Sequence, residues 1–368
     1  MNTNFKSTSK SCLQSYILPS LTGRGSLLES VALHWGRVCF FLLSLLLFAA
    51  CSSDNDEQVQ QPQPEKSYPL TIEVTENPMT GDGENSSNRA AITDISTLET
   101  FYLNYQYNSV YSGSGDKQSI TNTSGTWSGG NWPSDVREGN PDVNVTWYAY
   151  TDGTFNWSDE GPKEAYINFA VEESATLQKD LLVAKVTGKT WNNCSGHLSF
   201  TFDHACAALR FLVKKAKNLN DYTLNISPSA GISIKLFNVV NQGKYYFDKT
   251  PPSWGLTDNR SGYTLYTGTF EDLRSDAYTE LSQGTGPYLF MIPQKLDPWN
   301  HTGEPTNTYI ELNCSISKGG DPGFSYSGKA YIPFDYTLEK GNKYDVKINI
   351  GKNSLYKVVG GTASLIIP

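Results

Sequence analysis

Residues 197–215 read HLSFTFDHACAALRFLVKK. Successive residues of an extended chain point to opposite faces, so Leu198, Phe200 and Phe202 share one side. Leu209, Phe211 and Val213 share a side of the opposite parity. The period is two rather than 3.6, which makes the stretch strand and not helix. The phase slips between Asp203 and Ala208, and a β-bulge or bend is expected there.

The same alternation extends in both directions. Upstream, Phe101, Leu103, Tyr105 and Tyr107 alternate with Tyr102, Asn104, Gln106 and Asn108. Val143, Val145, Trp147 and Ala149 alternate with Asn144, Thr146 and Tyr148. Each predicts a strand with one buried face. Downstream, a polar connection at 215–221 precedes TLNI, ISIKLFNVV with Asn241-Gln242-Gly243 as its turn, KYYF, PYLFMIPQ, YIELNCSI, KAYIPFDY and KYDVKINI. The last two are expected to form a hairpin through Leu338-Glu339-Lys340-Gly341-Asn342. With 22 Tyr and 16 Phe, the composition suits an all-β protein rich in turns. Two runs of strands about one polar connection predict two β-sandwich domains, 68–216 and 217–368.

The start of the chain has another character. Val38 to Ala50 is an apolar run preceded by Arg37 and ended by Ala49, Ala50 and Cys51. A bilayer crossing needs about 20 residues in a helix, so this run is too short. A basic residue, a short apolar core and small residues at a cut site describe a secretory signal, assigned to residues 1–50. Its Leu47-Phe48-Ala49-Ala50-Cys51 end resembles the lipobox of bacterial lipoproteins, with Phe48 where Leu is usual. That resemblance implies cleavage before Cys51 and acylation of its thiol and new amino group. Residues 1–36 exceed what such a signal requires, and a misplaced start codon is expected. Residues 51–67 contain one aliphatic residue, Val59, and are expected to be a solvated tether. Its acidic start resembles the export signal of surface lipoproteins in Bacteroidetes-type bacteria, which places the protein on the outer face of the outer membrane.

Charge and cysteines narrow the function. Removing 1–50 leaves 29 − 4 = 25 basic and 37 − 1 = 36 acidic residues, a net charge of −11. Nucleic-acid binders carry basic patches, so nucleic acid is not an expected partner. Of six cysteines, Cys194, Cys206 and Cys314 remain after the signal and Cys51 are set aside. Three allow one disulfide at most, with Cys194–Cys206 as the candidate pair. Cys314, in phase with Ile310, Leu312 and Ile316, reads as a small buried hydrophobe.

Chemistry is sparse. No HExxH, GxSxG, P-loop or CxxC pair occurs, and no metal or cofactor is expected. His204 beside Asp203 reads either as a general base or, better, as a hydrogen-bonded histidine closing a strand kink, since no nucleophile is placed nearby. Trp127, Trp132, Trp147, Trp157, Trp191, Trp254 and Trp299 remain, mostly in expected loops. Exposed, they would stack on sugar rings, which gives the second functional reading: a surface-tethered glycan-binding lipoprotein gripping through Trp132 or Trp157. Otherwise they plug the sandwich ends.

Four local patterns line up in order. They are Trp132-Pro133 after a Gly-rich loop, the run Asp180-Leu181-Leu182-Val183-Ala184, the FDHACAALRF segment at 202–211, and Met291-Ile292-Pro293-Gln294 followed by Ile332-Pro333 and GNKYDVKINIGKN at 341–353. Together, over about 68–353, they resemble the fimbrillin family of type V pilus subunits. The chain departs from the family at its end, stopping at TASLIIP without a Trp-containing tail. The resemblance implies two transthyretin-like β-sandwich domains and a non-enzymatic fimbrial subunit or adhesin. It also implies assembly: a trypsin-like protease cuts after an Arg in an N-terminal loop, the first strand leaves, and a neighbour's C-terminal strand takes its place. Partners would be other subunits, the outer membrane through the lipid, and a host or bacterial receptor or glycan.

The residues fit that scheme. Leu70, Ile72 and Val74 share one face of a predicted strand, the candidate for displacement. Arg89, before Ala90, is the only Lys or Arg between Lys66 and Lys117 and sits in a polar loop of the kind proteases enter. Tyr356 and Val358, or Leu365, Ile366 and Ile367, are the candidate donor residues.

Overall fold

The computed structural model describes residues 66–81, 94–113, 116–159, 161–231, 233–281, 288–300, 307–318, 326–351, 355–358 and 361–364. Cys51, Arg89, Ala90 and Leu365 to Ile367 lie outside them, as do the expected signal and nearly all of the expected tether. The described chain is all-β, with two short α-helices, Ser134–Gly139 and Trp191–Cys194. None of the helices is long and apolar enough to cross a membrane.

The N-terminal strands form a sheet that closes on itself. Thr100–Tyr107 pairs with Val145–Tyr150 on one side and with Gln118–Thr123 on the other. The path continues through Thr126–Ser128, Thr71–Glu76, His197–His204 and Leu182–Lys189, and returns to Val145–Tyr150. Closure hides strand edges, which are otherwise templates for aggregation. One core fills this sheet: Phe101, Leu103, Ile120, Trp132, Trp147, Leu198, Phe200 and Phe202 are all buried.

A second, larger core lies under the remaining sheets. Ala207–Lys215 runs parallel to Asn342–Ile350 and antiparallel to Thr279–Leu281 and Tyr288–Met291. Another sheet contains Thr223–Ile226, Tyr309–Ser317, Ile234–Val240, Arg260–Tyr266 and Tyr326–Pro333. A four-stranded sheet draws from both halves of the sequence: Thr154–Trp157 and Ala165–Ala170 with Gln242–Tyr246 and Ser253–Leu256.

Several expectations change in three dimensions. The phase slip after Asp203 is a change of sheet: His197–His204 belongs to the closed sheet, Ala207–Lys215 to the second, and Ala205-Cys206 joins them. Residues 204–211 are all buried, because this join is packed between the layers. Asn241 does not make a hairpin, since Ile234–Val240 and Gln242–Tyr246 lie in different sheets. The same holds for Leu338–Asn342. Tyr326–Pro333 pairs with Tyr309–Ser317, while Asn342–Ile350 pairs with Ala207–Lys215. Each short connection therefore steps between layers, which local turn chemistry alone does not distinguish from a hairpin. Strand Val145–Tyr150 is buried on both faces, not one. Tyr148 and Tyr150 enter the second core because their hydroxyls find partners in Gln106 (3.2 Å), Asp248 (3.2 Å) and Asn104 (3.0 Å).

Candidate functional site

The segment 66–81 holds the expected displaced strand. Thr71–Glu76 is rich in β-branched residues and alternates, which suits a pleated, half-buried ladder. It lies inside the closed sheet, parallel to His197–His204 over six pairs from Thr71↔His197 to Glu76↔Phe202. On its other side it meets Thr126–Ser128 at one pair, Ile72↔Trp127. The seams are therefore unequal. Flanking main-chain bonds add to both. The amide of Leu70 donates to Gly130 O at 3.3 Å and that of Trp132 to Tyr68 O at 2.8 Å. Thr71 N donates to Gly196 O at 3.0 Å and Asn77 N to Phe202 O at 2.8 Å.

Leu70 and Ile72 are buried in the N-terminal core, and Val74 is half-buried against it. Burying two such side chains contributes about 1.5–3 kcal/mol each, so removing the strand forfeits several kcal/mol and opens the N-terminal core to which they belong.

The segment does not stop there. Asn77 Nδ2 donates to Asp203 Oδ1 at 2.7 Å. Met79 is buried in the second core. Thr80–Gly81 then forms a two-residue strand parallel to the start of Asn342–Ile350, with Thr80↔Asn342 and Gly81↔Lys343. Thr80 N donates to Gly341 O at 2.8 Å and Thr80 Oγ1 to Asn342 Oδ1 at 2.7 Å. So residues 66–81 fasten two sheets, not one. The alternation of 70, 72 and 74 announced the first attachment. The second lacked a readable signal because a strand of two residues between Pro78 and Asp82 has no period. After the protease-loop candidate, the chain is fastened again where Ile95 N donates to Glu76 Oε2 at 2.7 Å.

The donor candidates Tyr356 and Val358 lie in Leu355–Val358, which pairs with Gly361–Ser364 as an antiparallel hairpin. That hairpin is a two-stranded sheet of its own, and the structure does not bring it together with Leu70, Ile72 and Val74.

His204 Nδ1 lies 2.5 Å from Asp180 Oδ2, with both side chains buried at the join between sheets. Asp180, not Asp203, is its partner. Cys194, Cys206 and Cys314 are free. Burial, with a contribution from the Asp180 carboxylate, pushes the Cys206 thiol well up, and burial lifts Cys314 to about 12. Both stay protonated and poorly nucleophilic near neutrality. Among the described residues no group of three or more His, Cys, Asp or Glu could hold a metal ion.

Five of the seven tryptophans are not in loops: Trp127, Trp147, Trp157 and Trp254 are in strands and Trp191 in a helix. Trp132, Trp147 and Trp299 are buried and the other four half-buried. Trp157 Nε1 donates to Ser112 O and Trp254 Nε1 to Ala205 O, each at 2.7 Å. These two use their rings for packing and their N–H for main-chain carbonyls, whereas Trp132 and Trp147 are held by packing alone.

No curated protein matches the chain. Among solved structures, a fimbrial protein from Bacteroides vulgatus is similar at 18% identity, covering 81% of this chain and 98% of that one, with a TM-score of 0.51. A protein from Bacteroides uniformis assigned to cell adhesion is 16% identical over 83% and 99%, with a TM-score of 0.41. One from Parabacteroides distasonis with the same assignment is 8% identical over 80% and 91%, with a TM-score of 0.46. The first likeness supports the fold. A family model described as fimbrillin-like matches residues 105–364, well over half of the sequence, and the chain belongs to that family.

Proposed function

We propose that the protein is a non-enzymatic fimbrial subunit or adhesin of the cell surface, exported to the outer membrane as a lipoprotein acylated at Cys51 and, after removal of its N-terminal strand, joined to like subunits by strand exchange. The two cores then belong to two transthyretin-like sandwich domains. The observation that carries the reading is the unequal hold on Thr71–Glu76: six pairs on one side and one on the other. A cut after Arg89 would free a segment whose loss leaves a slot between Thr126–Ser128 and His197–His204. An incoming strand would satisfy the exposed main chain and fill the places of Leu70, Ile72 and Val74. The buried and half-buried tryptophans give no support to the glycan-gripping alternative.

Mass spectrometry of the N-terminus of protein taken from the cell surface tests this. A new N-terminus at Ala90, with oligomers in native mass spectrometry, is the expected result. An acylated Cys51 joined to an intact 51–89 segment in all assembled material would overturn the exchange step.

A further inference from the structure

The geometry points to a binding pocket for a neutral pyranose sugar, at the end of the four-stranded sheet where Thr154 and Asn168 pair. The inference deepens the adhesin part of the reading above and rests on it only for the location at the cell surface. It involves neither strand exchange nor any tryptophan.

The pocket has a volume of about 350 Å³. Small-molecule sites run from about 300 to 1,000 Å³, so this one suits a single sugar ring rather than a large ligand. Its lining comes from three places: the turn at Asp152-Gly153, the paired strands with Thr154 and Asn168, and the segment carrying Glu172, Leu177 and Lys179. Side chains alternate along Ala165–Ala170, so Asn168 is exposed while Ile167 and Phe169 on the other face are buried.

Each part is fixed before any ligand arrives. Gly153 has φ +86°, and a Cβ there would sit 2.7 Å from Asn168 O, so this turn accepts only glycine. Its amide donates to Asp152 Oδ1 at 2.7 Å. On the opposite segment, Gln178 Nε2 donates to Glu172 O and Phe290 N donates to Gln178 Oε1, each at 2.8 Å. The amide of Leu177 donates to Ser174 O at 3.0 Å. Leu177 is thereby held outward, 62% exposed, against 45% for Val110 and for Leu256.

The chemistry of the lining selects the ligand. Asp152 and Glu172 accept hydrogen bonds, Lys179 donates, and Asn168 and Thr154 do both. Among the described residues nothing pairs with the side chains of Asn168 and Glu172. Lys179 Nζ and Asp152 Oδ2 meet at 3.2 Å, and an exposed ion pair of this kind contributes little, so a hydroxyl can insert between them. Adjacent sugar hydroxyls each donate and accept, which matches such a mixed set, and the C–H face of the ring can rest on Leu177. Two carboxylates against one lysine disfavour an anion. A metal ion does not fit, since among the described residues no group of three or more His, Cys, Asp or Glu could hold one. Phe169 is buried, so no ring in the lining is free to stack on a nucleobase.

The test titrates the uncut full chain with the methyl glycosides of glucose, galactose, mannose and N-acetylglucosamine, read by saturation-transfer NMR. Sodium glucuronate and arginine ethyl ester serve as charged comparisons. At least one neutral glycoside is expected to bind with a Kd of about 1 mM, as befits a ligand of this size. Asn168→Ala and Glu172→Ala should each weaken it roughly tenfold. Leu177→Ser should also weaken it, whereas Leu256→Ser, on the far edge strand of the same sheet, should not. All four side chains are exposed, so the urea midpoint should stay put and loss of binding is not loss of fold. No transfer from any neutral glycoside, tighter binding of either charged compound, or binding indifferent to Asn168→Ala and Glu172→Ala would overturn the site. Retention in gels containing soluble mannan or galactan would place the sugar on a chain, and glycoside binding without retention would make it a free sugar; either keeps the pocket. Failure here leaves strand exchange standing, because that is read from the cut chain. Cut chains that stay monomeric while the uncut protein binds the glycoside would keep this site and remove the assembly.

Discussion

His204 and Asp180 meet at the point where the chain leaves one sheet for the next, and neither is exposed. Truncating one partner leaves the other buried without its mate, at a cost of about 3–5 kcal/mol. Asp180→Ala should therefore lower the urea midpoint strongly, while the double change Asp180→Leu with His204→Leu should recover part of the loss. Two purely additive losses in the same urea titrations would show that the pair is not coupled. Cysteine reactivity follows from burial in a similar way. Cys206 and Cys314 are buried with raised thiol pKa values, whereas Cys194 is half-buried. Alkylation of the native protein near pH 8, read by mass spectrometry, should label Cys194 well ahead of the other two. Comparable rates at all three would contradict the packing at the Ala205-Cys206 join. At Gly81 the problem is space and φ together: φ is +132°, and a Cβ would meet the main chain of Lys343. Gly81→Val should detach Thr80–Gly81 from Lys343, costing about 1–3 kcal/mol of local stability. Hydrogen exchange at the start of Asn342–Ile350 should quicken in the variant, and unchanged protection there would refute the contact.

At the scale of the element, Thr71–Glu76 is an interior strand that is held firmly on one edge and lightly on the other. Leu70 and Ile72 insert into the core, so Ile72→Ala should cost about 2–5 kcal/mol, as buried large-to-small changes do. Half-buried Val74→Ala should cost less. Denaturant melts of the two variants give the comparison, and equal losses would mean that burial does not rank the two positions. The alternation at 70, 72 and 74 made this element legible without coordinates. Its parallel partner was not legible, because pairing of residues 126 apart in sequence leaves no local trace. The two expected hairpins failed for a related reason. Gly341 and Asn241 permit sharp reversals, but whether a reversal pairs its own flanks or crosses to another layer depends on which sheet has room.

For the molecule as a whole, the closed N-terminal sheet and the second core share strands and fastenings, so residues 66–81 bear on both. A chain cut after Arg89 and freed of its N-terminal segment should expose apolar surface from two places. It should bind a hydrophobic dye more strongly than the uncut protein, and should then associate. A cut chain that shows neither change would mean that the segment covers nothing a neighbour could use.

The sequence by itself determined the class of structure and the existence of a strand through Leu70, Ile72 and Val74. Period two, abundant aromatics and frequent glycine are local properties, and they survive whatever the chain packs against. The expected signal, tether and cleavage site at Arg89 rest on composition and order alone. Only the tertiary structure decided which strands pair, that Asp180 partners His204, and that Trp132 and Trp147 are core. It also decided that Met79–Gly81 closes a second sheet. These depend on contacts between residues far apart in the chain, where space left by one sheet selects the side chains of another, and no short window of sequence carries that information.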